Sequence, residues 1–125
     1  MHENDISFEI RRCSFKVHTA LGPGLLESVY EAALAYELRK FGFDVRSQVP
    51  LPMTYEDVRM DIGFRLDLLV EKKVIVEIKS VETLLDIHHK QLLTYLKLSN
   101  LKLGLLINFN VPHVKEGIVR IVNGL

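Results

Sequence analysis

Three side chains that could bind a metal ion and activate water occur near the middle of the chain. The segment VIVEIK carries Glu77 and Lys79 two positions apart in an otherwise apolar run. Asp67 precedes Glu77 by ten residues, and Glu71-Lys72-Lys73 between them has the polar character of a turn. If that turn closes a three-residue hairpin, Asp67 lies directly opposite Glu77, and Lys79 shares their face of the sheet. The sequence therefore predicts that Asp67, Glu77 and Lys79 converge.

This convergence would suit the hydrolysis of phosphodiester bonds. Two carboxylates at such a distance repel each other unless a cation lies between them, and their hard oxygen atoms suit Mg²⁺ or Mn²⁺. A lysine beside the metal could orient or deprotonate a water molecule, or stabilise the charge of the transition state. The same spacing also occurs in hairpins whose polar face is simply solvated. The apolar neighbours of Glu77 favour the metal site, because a buried strand does not carry a carboxylate without a partner.

Two predicted helices carry further polar side chains on one face. Glu27 and Tyr30 are three residues apart after the turn LGPG; alternatively, Glu27 interacts with the helix dipole and Tyr30 is half-buried. His88, Gln91 and Tyr95 lie at i, i+3 and i+7 of a later helix. Gln91 could bind a water molecule or a phosphate, and His88 a phosphate or a carboxylate. A solvated polar stripe explains the same pattern.

The apolar pattern predicts two helices at the start of the chain. The first ends near Leu21, where LGPG interrupts the helical spacing. The second is expected from about residue 25 to residue 41, with Gly42 as its stop. Five of its residues follow helical spacing: Leu26, Val29, Ala33, Tyr36 and Leu38.

The rest of the chain predicts a sheet with one further helix. Residues 44–80 read as about four antiparallel strands, interrupted by two prolines and two turns. A third helix is expected from Asp86, as its N-cap, to Asn100. LKLGLLINF then has the continuous apolar character of a buried strand. The final segment GIVRIVNGL could form a short edge strand with Arg120 pointing outward or a last turn of helix, and we expect the strand.

The composition indicates one intracellular domain over residues 1–125, of which 48% are hydrophobic and 26% charged. The 16 basic and 16 acidic residues cancel, so composition neither proposes nor excludes a nucleic-acid partner. Cys13 is the only cysteine, which excludes an internal disulfide and a cysteine-based zinc cluster and favours a reducing, cytoplasmic location. We find no signal peptide and no run of the roughly 18 apolar residues that a membrane span needs.

Several separated motifs resemble the GxxExxY family, which is similar to the PD-(D/E)XK nuclease-like superfamily. The signature G-x-x-E-x-x-Y is present as Gly24, Glu27 and Tyr30, and QVPLP, FRLDLLVEKKVIVEIK, HHKQLLTYLKL, LGLLINF and IVNGL follow in the family's order. The resemblance covers about residues 6–125. It implies a restriction-endonuclease-like α/β fold, in which helices flank a mixed central sheet built as αβββαβ, here with an additional N-terminal helix.

The resemblance also implies a metal site. Asp67 matches the superfamily's first metal-binding aspartate, and Glu77 and Lys79 match its E-x-K. Glu27 matches the acidic residue of an early helix that often completes the site. With the carbonyl of Ile78, these carboxylates would bind Mg²⁺ or Mn²⁺.

The other implied residues lie outside this ligand set. Gln91 matches a glutamine found after the core hairpin in several nuclease branches, with Tyr95 one turn beyond; His88 and Tyr30 would support the site. Leu66 stands where the superfamily name has proline. Since that proline is not a ligand, its absence leaves the chemistry intact.

Three functional hypotheses follow. The first is a Mg²⁺- or Mn²⁺-dependent nuclease that acts on DNA in preference to RNA. In it Lys79 activates the attacking water, while Gln91 and Tyr95 position the water or the phosphate. The second is a non-catalytic module that binds nucleic acid or a protein on the same fold. The third is a subunit that becomes active only in a homodimer or a larger complex.

Overall fold

Three helices and five strands make up the chain, with a short 3₁₀ turn before the last strand. The computed structural model describes residues 1–60 and 63–125 in full, and residues 61 and 62 only as part of a strand. The helices are α1 (Glu3–Leu21), α2 (Glu27–Phe41) and α3 (Asp86–Ser99). The strands are β1 (Val45–Tyr55), β2 (Val58–Val70), β3 (Val74–Lys79), β4 (Leu103–Asn108) and β5 (Ile118–Val122). None of the helices in the described part combines the length and the apolar character that crossing a membrane requires.

The five strands form one mixed sheet in the order β1-β2-β3-β4-β5. The first three strands are antiparallel neighbours, β3 and β4 run parallel, and β5 returns antiparallel to β4. The parallel pair needs a crossover connection, which α3 supplies. This architecture confirms the expected restriction-endonuclease-like arrangement of helices around a mixed sheet, with α1 as the additional N-terminal helix.

Each face of the sheet is covered by apolar residues. Alternate residues of β3 enter the two layers: Val76 packs with α1 and α2, and Ile75 packs with α3. As expected for central strands covered on both faces, every residue of β4 is buried. Gly104 of β4 lets α3 lie close to the sheet, since a Cβ there would lie 2.9 Å from a side-chain atom of Leu92.

The prediction of about four strands between residues 44 and 80 was wrong, because the structure has three. Pro50 and Pro52 do not end a strand but lie inside β1. Proline cannot donate a hydrogen bond to a neighbouring strand, and β1 has a neighbour on one side only. An edge strand therefore accommodates both prolines.

The helical spacing of the second helix does not identify its buried face. α2 begins at Glu27, two residues later than expected, and Leu26, Val29 and Tyr36 are exposed. Its buried side chains are Tyr30, Leu34, Ala35 and Leu38. The helix carries apolar residues on two faces, and helical spacing alone does not show which of the two meets the sheet.

Other expectations for these elements are confirmed. α1 ends at Leu21. The turn at residues 71–73 places Val70 opposite Val74. β5 is the edge strand beyond β4, with Arg120 exposed.

Candidate functional site

The site lies where β2 and β3 separate. Their regular pairing follows the predicted register from Val70 opposite Val74, but the described pairs stop one short of Asp67 and Glu77. Asp67 and Glu77, which we expected to be directly opposite each other, are therefore not a backbone-paired position of the two strands. From this point the two strands are joined by hydrogen bonds between backbone N–H groups and side-chain carboxylates.

Asp67 and Glu77 hold each other through side-chain to backbone hydrogen bonds. The backbone N–H of Asp67 donates to Oε2 of Glu77 at 2.7 Å. The backbone N–H of Ile78 donates to Oδ2 of Asp67 at 2.8 Å. The two carboxylates thus replace the ladder bonds that the separating strands lose, and this brings them together at the end of the sheet.

Glu77 is withdrawn from water, and Asp67 is partly buried beside it. Glu77 is only 5% exposed. Burial, reinforced by the negative charge of Asp67, raises the pKa of Glu77 to about 8. Burial also raises the pKa of Asp67, although the hydrogen bond from Ile78 and the positive charge of Lys79 oppose the rise. The three ion pairs found among the described residues join other side chains, so none of them neutralises Asp67 or Glu77.

Lys79 lies at the same end of β3 as Glu77. Its positive charge lowers the pKa of both Glu77 and Asp67, against the effect of burial. On the side of β3 that faces β4, the carbonyl of Lys79 accepts a hydrogen bond from the backbone N–H of Phe109 at 3.0 Å. Lys79 also pairs with Asn108 of β4. The backbone of Lys79 is thus fixed by β4. The sequence prediction that Asp67, Glu77 and Lys79 are neighbours agrees with this geometry.

Glu27 approaches the end of β3 from the first turn of α2. Its Oε2 accepts a hydrogen bond from the backbone N–H of Ser80 at 3.2 Å. The hydroxyl of Ser80 in turn donates to the carbonyl of Leu25 at 2.6 Å. These two bonds tie the residue after β3 to the start of α2, and they bring the charge of Glu27 close enough to act on Asp67.

Tyr30 supports the loop before α2 from inside the core. Its hydroxyl donates to the carbonyl of Gly22 at 2.6 Å and accepts from the backbone N–H of Leu25 at 3.1 Å. Its ring stacks on Phe109, with centroids 4.6 Å apart. Tyr30 is completely buried rather than half-buried, so it acts on Glu27 through the backbone of the preceding loop.

The carboxylates do not form a closed metal cage. Among the described residues, no three Asp, Glu, His or Cys side chains lie close enough together to hold a metal ion. The structure thus brings Asp67 and Glu77 together and leaves Glu27 outside the pair. One oxygen of each of these three carboxylates is engaged by a backbone N–H.

The donor atoms present nevertheless fit Mg²⁺ or Mn²⁺. The N–H and C=O of a strand residue point to the same edge, so the carbonyl of Ile78 points toward Asp67 as its N–H does. Two carboxylates and a carbonyl are hard oxygen donors of the kind that these ions prefer. A divalent cation would also neutralise the two neighbouring negative charges.

α3 contributes Tyr95 and Gln91 from one face of the sheet. Burial raises the pKa of Tyr95, the charges of Glu77 and Asp67 raise it further, and a hydrogen bond with Gln91 opposes the rise. The ring of Tyr95 contacts Phe64 of β2, with centroids 5.0 Å apart. The structure therefore places Tyr95 near the carboxylate pair with Gln91 as its partner.

His88 has a structural contact that the sequence interpretation did not anticipate. Its Nδ1 accepts a hydrogen bond from the backbone N–H of Leu85 at 3.1 Å, at the start of α3. The expected N-cap, Asp86, is instead the first residue of the helix, and Leu85 is the N-cap. The contact between His88 and a phosphate stays a prediction.

Sequence reasoning missed two residues beside Asp67. Nε2 of Gln48 donates to Oε1 of Glu31 at 2.7 Å and to Oδ1 of Asp67 at 3.3 Å. Burial raises the pKa of Glu31, with a further contribution from Asp67. The i, i+4 spacing from Glu27 could have identified Glu31. Gln48 has a φ of 53°, a local departure from strand geometry that no motif signals.

Asn108 is a third residue that the sequence did not single out. Its side chain is buried, accepts from the backbone N–H of Val81 at 3.1 Å and donates to the carbonyl of Val81 at 2.9 Å. Together with Ser80, these bonds fix the chain as it leaves β3. A buried Asn at the end of an apolar strand is the signal that could have found it.

The comparison with known proteins agrees with this geometry. A family model described as the PD-(D/E)XK nuclease superfamily matches residues 4–121. No curated protein and no solved structure matches the chain. The matched range includes the place where β2 and β3 separate and all the side chains discussed above. The narrower likeness to the GxxExxY family stays a prediction.

Proposed function

The chain belongs to the PD-(D/E)XK nuclease superfamily, and from this we propose that it hydrolyses phosphodiester bonds of DNA with Mg²⁺ or Mn²⁺ as cofactor. One observation carries the proposal. Glu77 is buried and Asp67 is partly buried beside it, and each carboxylate is held in place by a backbone N–H of the opposite strand. Such an arrangement is costly for folding alone and suits the binding of a cation.

Asp67, Glu77 and the carbonyl of Ile78 would hold the ion. When bound, a divalent ion stabilises negative charge on phosphate oxygens and makes water easier to deprotonate. Glu27 is kept as an outer acidic group, since Ser80 holds it and its charge reaches Asp67.

We assign to Lys79 the role of orienting the attacking water. Its ammonium group extends from the strand that carries Glu77, and the backbone of this strand is fixed on β4. From that position it would orient the water and stabilise the charge that develops on the phosphate. Gln91 and Tyr95 lie one turn apart on α3, and Gln91 lowers the pKa of Tyr95. They would position the water or the phosphate.

Cleavage assays test this assignment. We would incubate the purified protein with supercoiled plasmid, short duplex DNA, single-stranded DNA and RNA, each with Mg²⁺, Mn²⁺ or a chelator. DNA cleavage that requires the metal is the expected result. Asp67→Asn and Lys79→Ala should each lower the rate by a factor of about 100 or more, because the parts of a catalytic unit act together.

The matched control for Lys79→Ala is Lys102→Ala. Lys102 is exposed and precedes β4, so it lies at the opposite end of the parallel strand pair from Lys79. Its removal should leave cleavage unchanged. Equal cleavage by Lys79→Ala and the parent protein would contradict the role of Lys79. Absence of metal binding by calorimetry, with Asp67→Asn unchanged, would instead support a non-catalytic binding module.

A further inference from the structure

The outer face of α2 is apolar over three turns. Leu26 is 74% exposed, Val29 40% and Tyr36 63%. Within this described part of the helix the two charged residues, Glu27 and Glu31, point away from that face, toward Ser80 and Gln48. An exposed helix face normally carries charged side chains, so an apolar one of this length indicates a surface that is covered in the functional protein.

A groove beside this face extends the apolar surface to α1. It has a volume of about 210 Å³ and is lined by Val17, Ala20, Leu21, Ala33 and Tyr36, with the ion pair of Lys16 and Glu37 at its edge. These two charged groups are 3.0 Å apart and neutralise each other. The surface therefore combines protruding side chains, a groove and no excess charge.

We propose that a second copy of this chain covers the surface, with the two α2 helices packed antiparallel about a two-fold axis. The apolar residues are arranged symmetrically along the helix. Leu26 and Tyr36 lie five residues on either side of Glu31, and Val29 and Ala33 lie two residues on either side of it. An antiparallel pair centred there places Leu26 against Tyr36 of the second copy and Val29 against its Ala33. A two-fold interface requires such self-complementarity.

Charge and area also fit a second copy. The chain has a formal net charge of zero, so two copies do not repel each other as a whole, and the antiparallel helix dipoles are favourably aligned. Leu21, Leu25, Leu26, Val29 and Tyr36 together expose roughly 500 Å². With a polar rim, this matches the about 800 Å² per partner of a stable interface, of which about 65% is apolar in homodimers.

The mass in solution tests the proposal without reference to catalysis. Sedimentation equilibrium of the full chain should show a monomer–dimer equilibrium that shifts toward the dimer as protein concentration rises. Tyr36→Arg should weaken self-association at least about tenfold, since it places a charge against the apolar side chain of Leu26 in the second copy. The control is Ile87→Arg on α3, where Ile87 is 62% exposed against 63% for Tyr36; it should dimerise like the parent.

Disulfide trapping tests the antiparallel register. Val29→Cys and Ala33→Cys variants, mixed under mild oxidation, should form a cross-linked dimer more readily than either variant alone. Cys13 is buried, and each single variant measures its background.

Three results would overturn the proposal. The first is a parent protein that stays monomeric up to millimolar concentration. The second is a Tyr36→Arg variant that folds, as shown by circular dichroism, and still dimerises. The third is a mixture of the two cysteine variants that cross-links no better than each variant alone.

Discussion

The carboxylates of Asp67 and Glu77 are fixed by the backbone of the strands that carry them. Glu77 accepts from the backbone N–H of Asp67, and Asp67 accepts from that of Ile78, the residue after Glu77. These bonds hold both acidic groups in place although β2 and β3 have stopped pairing. Folding therefore assembles a charged pair that is more stable when a proton or a cation neutralises it.

The metal-free protein is expected to lose stability as the pH rises. The folded-state pKa of Glu77 is about 8, above the ordinary value of 4.5. Between these values the folded state binds a proton that the unfolded state releases, so this contribution is fully present below pH 4.5 and lost as the pH approaches 8. The free energy of unfolding, measured with urea in the presence of a chelator, should fall by at most about 1.4 kcal/mol per pH unit from this residue.

Glu77→Gln should flatten this pH dependence, because glutamine does not titrate. Part of the slope will remain, since burial also raises the pKa of Asp67 and of Glu31. The control is Glu116→Gln, which changes an exposed glutamate of the 3₁₀ turn. An unchanged slope in Glu77→Gln would show that Glu77 is not the buried acid responsible.

Metal binding is expected to depend on the same pair. Isothermal titration of the parent protein with Mn²⁺ should give saturable heats at millimolar metal or below. Asp67→Asn and Glu77→Gln should each weaken the affinity at least about tenfold, because each removes a negatively charged oxygen ligand. Asp57→Asn, in the exposed turn between β1 and β2, is the matched control and should bind like the parent. Identical isotherms for all four proteins would exclude this pair as the metal site.

The proximity of Asp67 and Glu77 could be predicted from the sequence because it depends on local geometry. A three-residue turn and the two-residue period of a strand bring Asp67 near Glu77 and Lys79, whatever the rest of the chain does. What the sequence did not show is that the carboxylates bond to backbone N–H groups in place of ladder pairing. That depends on where β2 and β3 separate, which is a property of the whole sheet.

The features that could not be predicted depend on tertiary structure, because more than one arrangement fits the same sequence pattern. α2 has apolar residues on two sides, and the sheet selects the side that contains Tyr30 and Leu34. The prolines of β1 read as strand breaks until the topology makes β1 an edge. Gln48, whose backbone has a positive φ, reaches Asp67 from a part of β1 that no motif marks. Neither spacing nor composition encodes these outcomes.

Ser80→Ala tests the link between the end of β3 and the start of α2. It removes the hydrogen bond from the hydroxyl to the carbonyl of Leu25, which should cost about 1 kcal/mol of stability. Because the backbone N–H of Ser80 holds Glu27, we also expect the rate of DNA cleavage to fall severalfold. Ser28→Ala, at an exposed serine of α2, should change neither quantity. If Ser80→Ala matches the parent in both, the link does not support the site.

Tyr30→Phe isolates the hydroxyl that holds the loop before Glu27. The variant keeps the ring and its stacking on Phe109, but the N–H of Leu25 and the carbonyl of Gly22 lose their partner. A buried or partly buried group left without its hydrogen bond costs about 1–3 kcal/mol, so we expect a loss of that size in urea unfolding. Tyr55→Phe is the control, because Tyr55 lies exposed at the end of β1 and should give a change within about 0.5 kcal/mol. Equal stability of Tyr30→Phe and Tyr55→Phe would show that the ring alone, without its hydroxyl, keeps the loop in place.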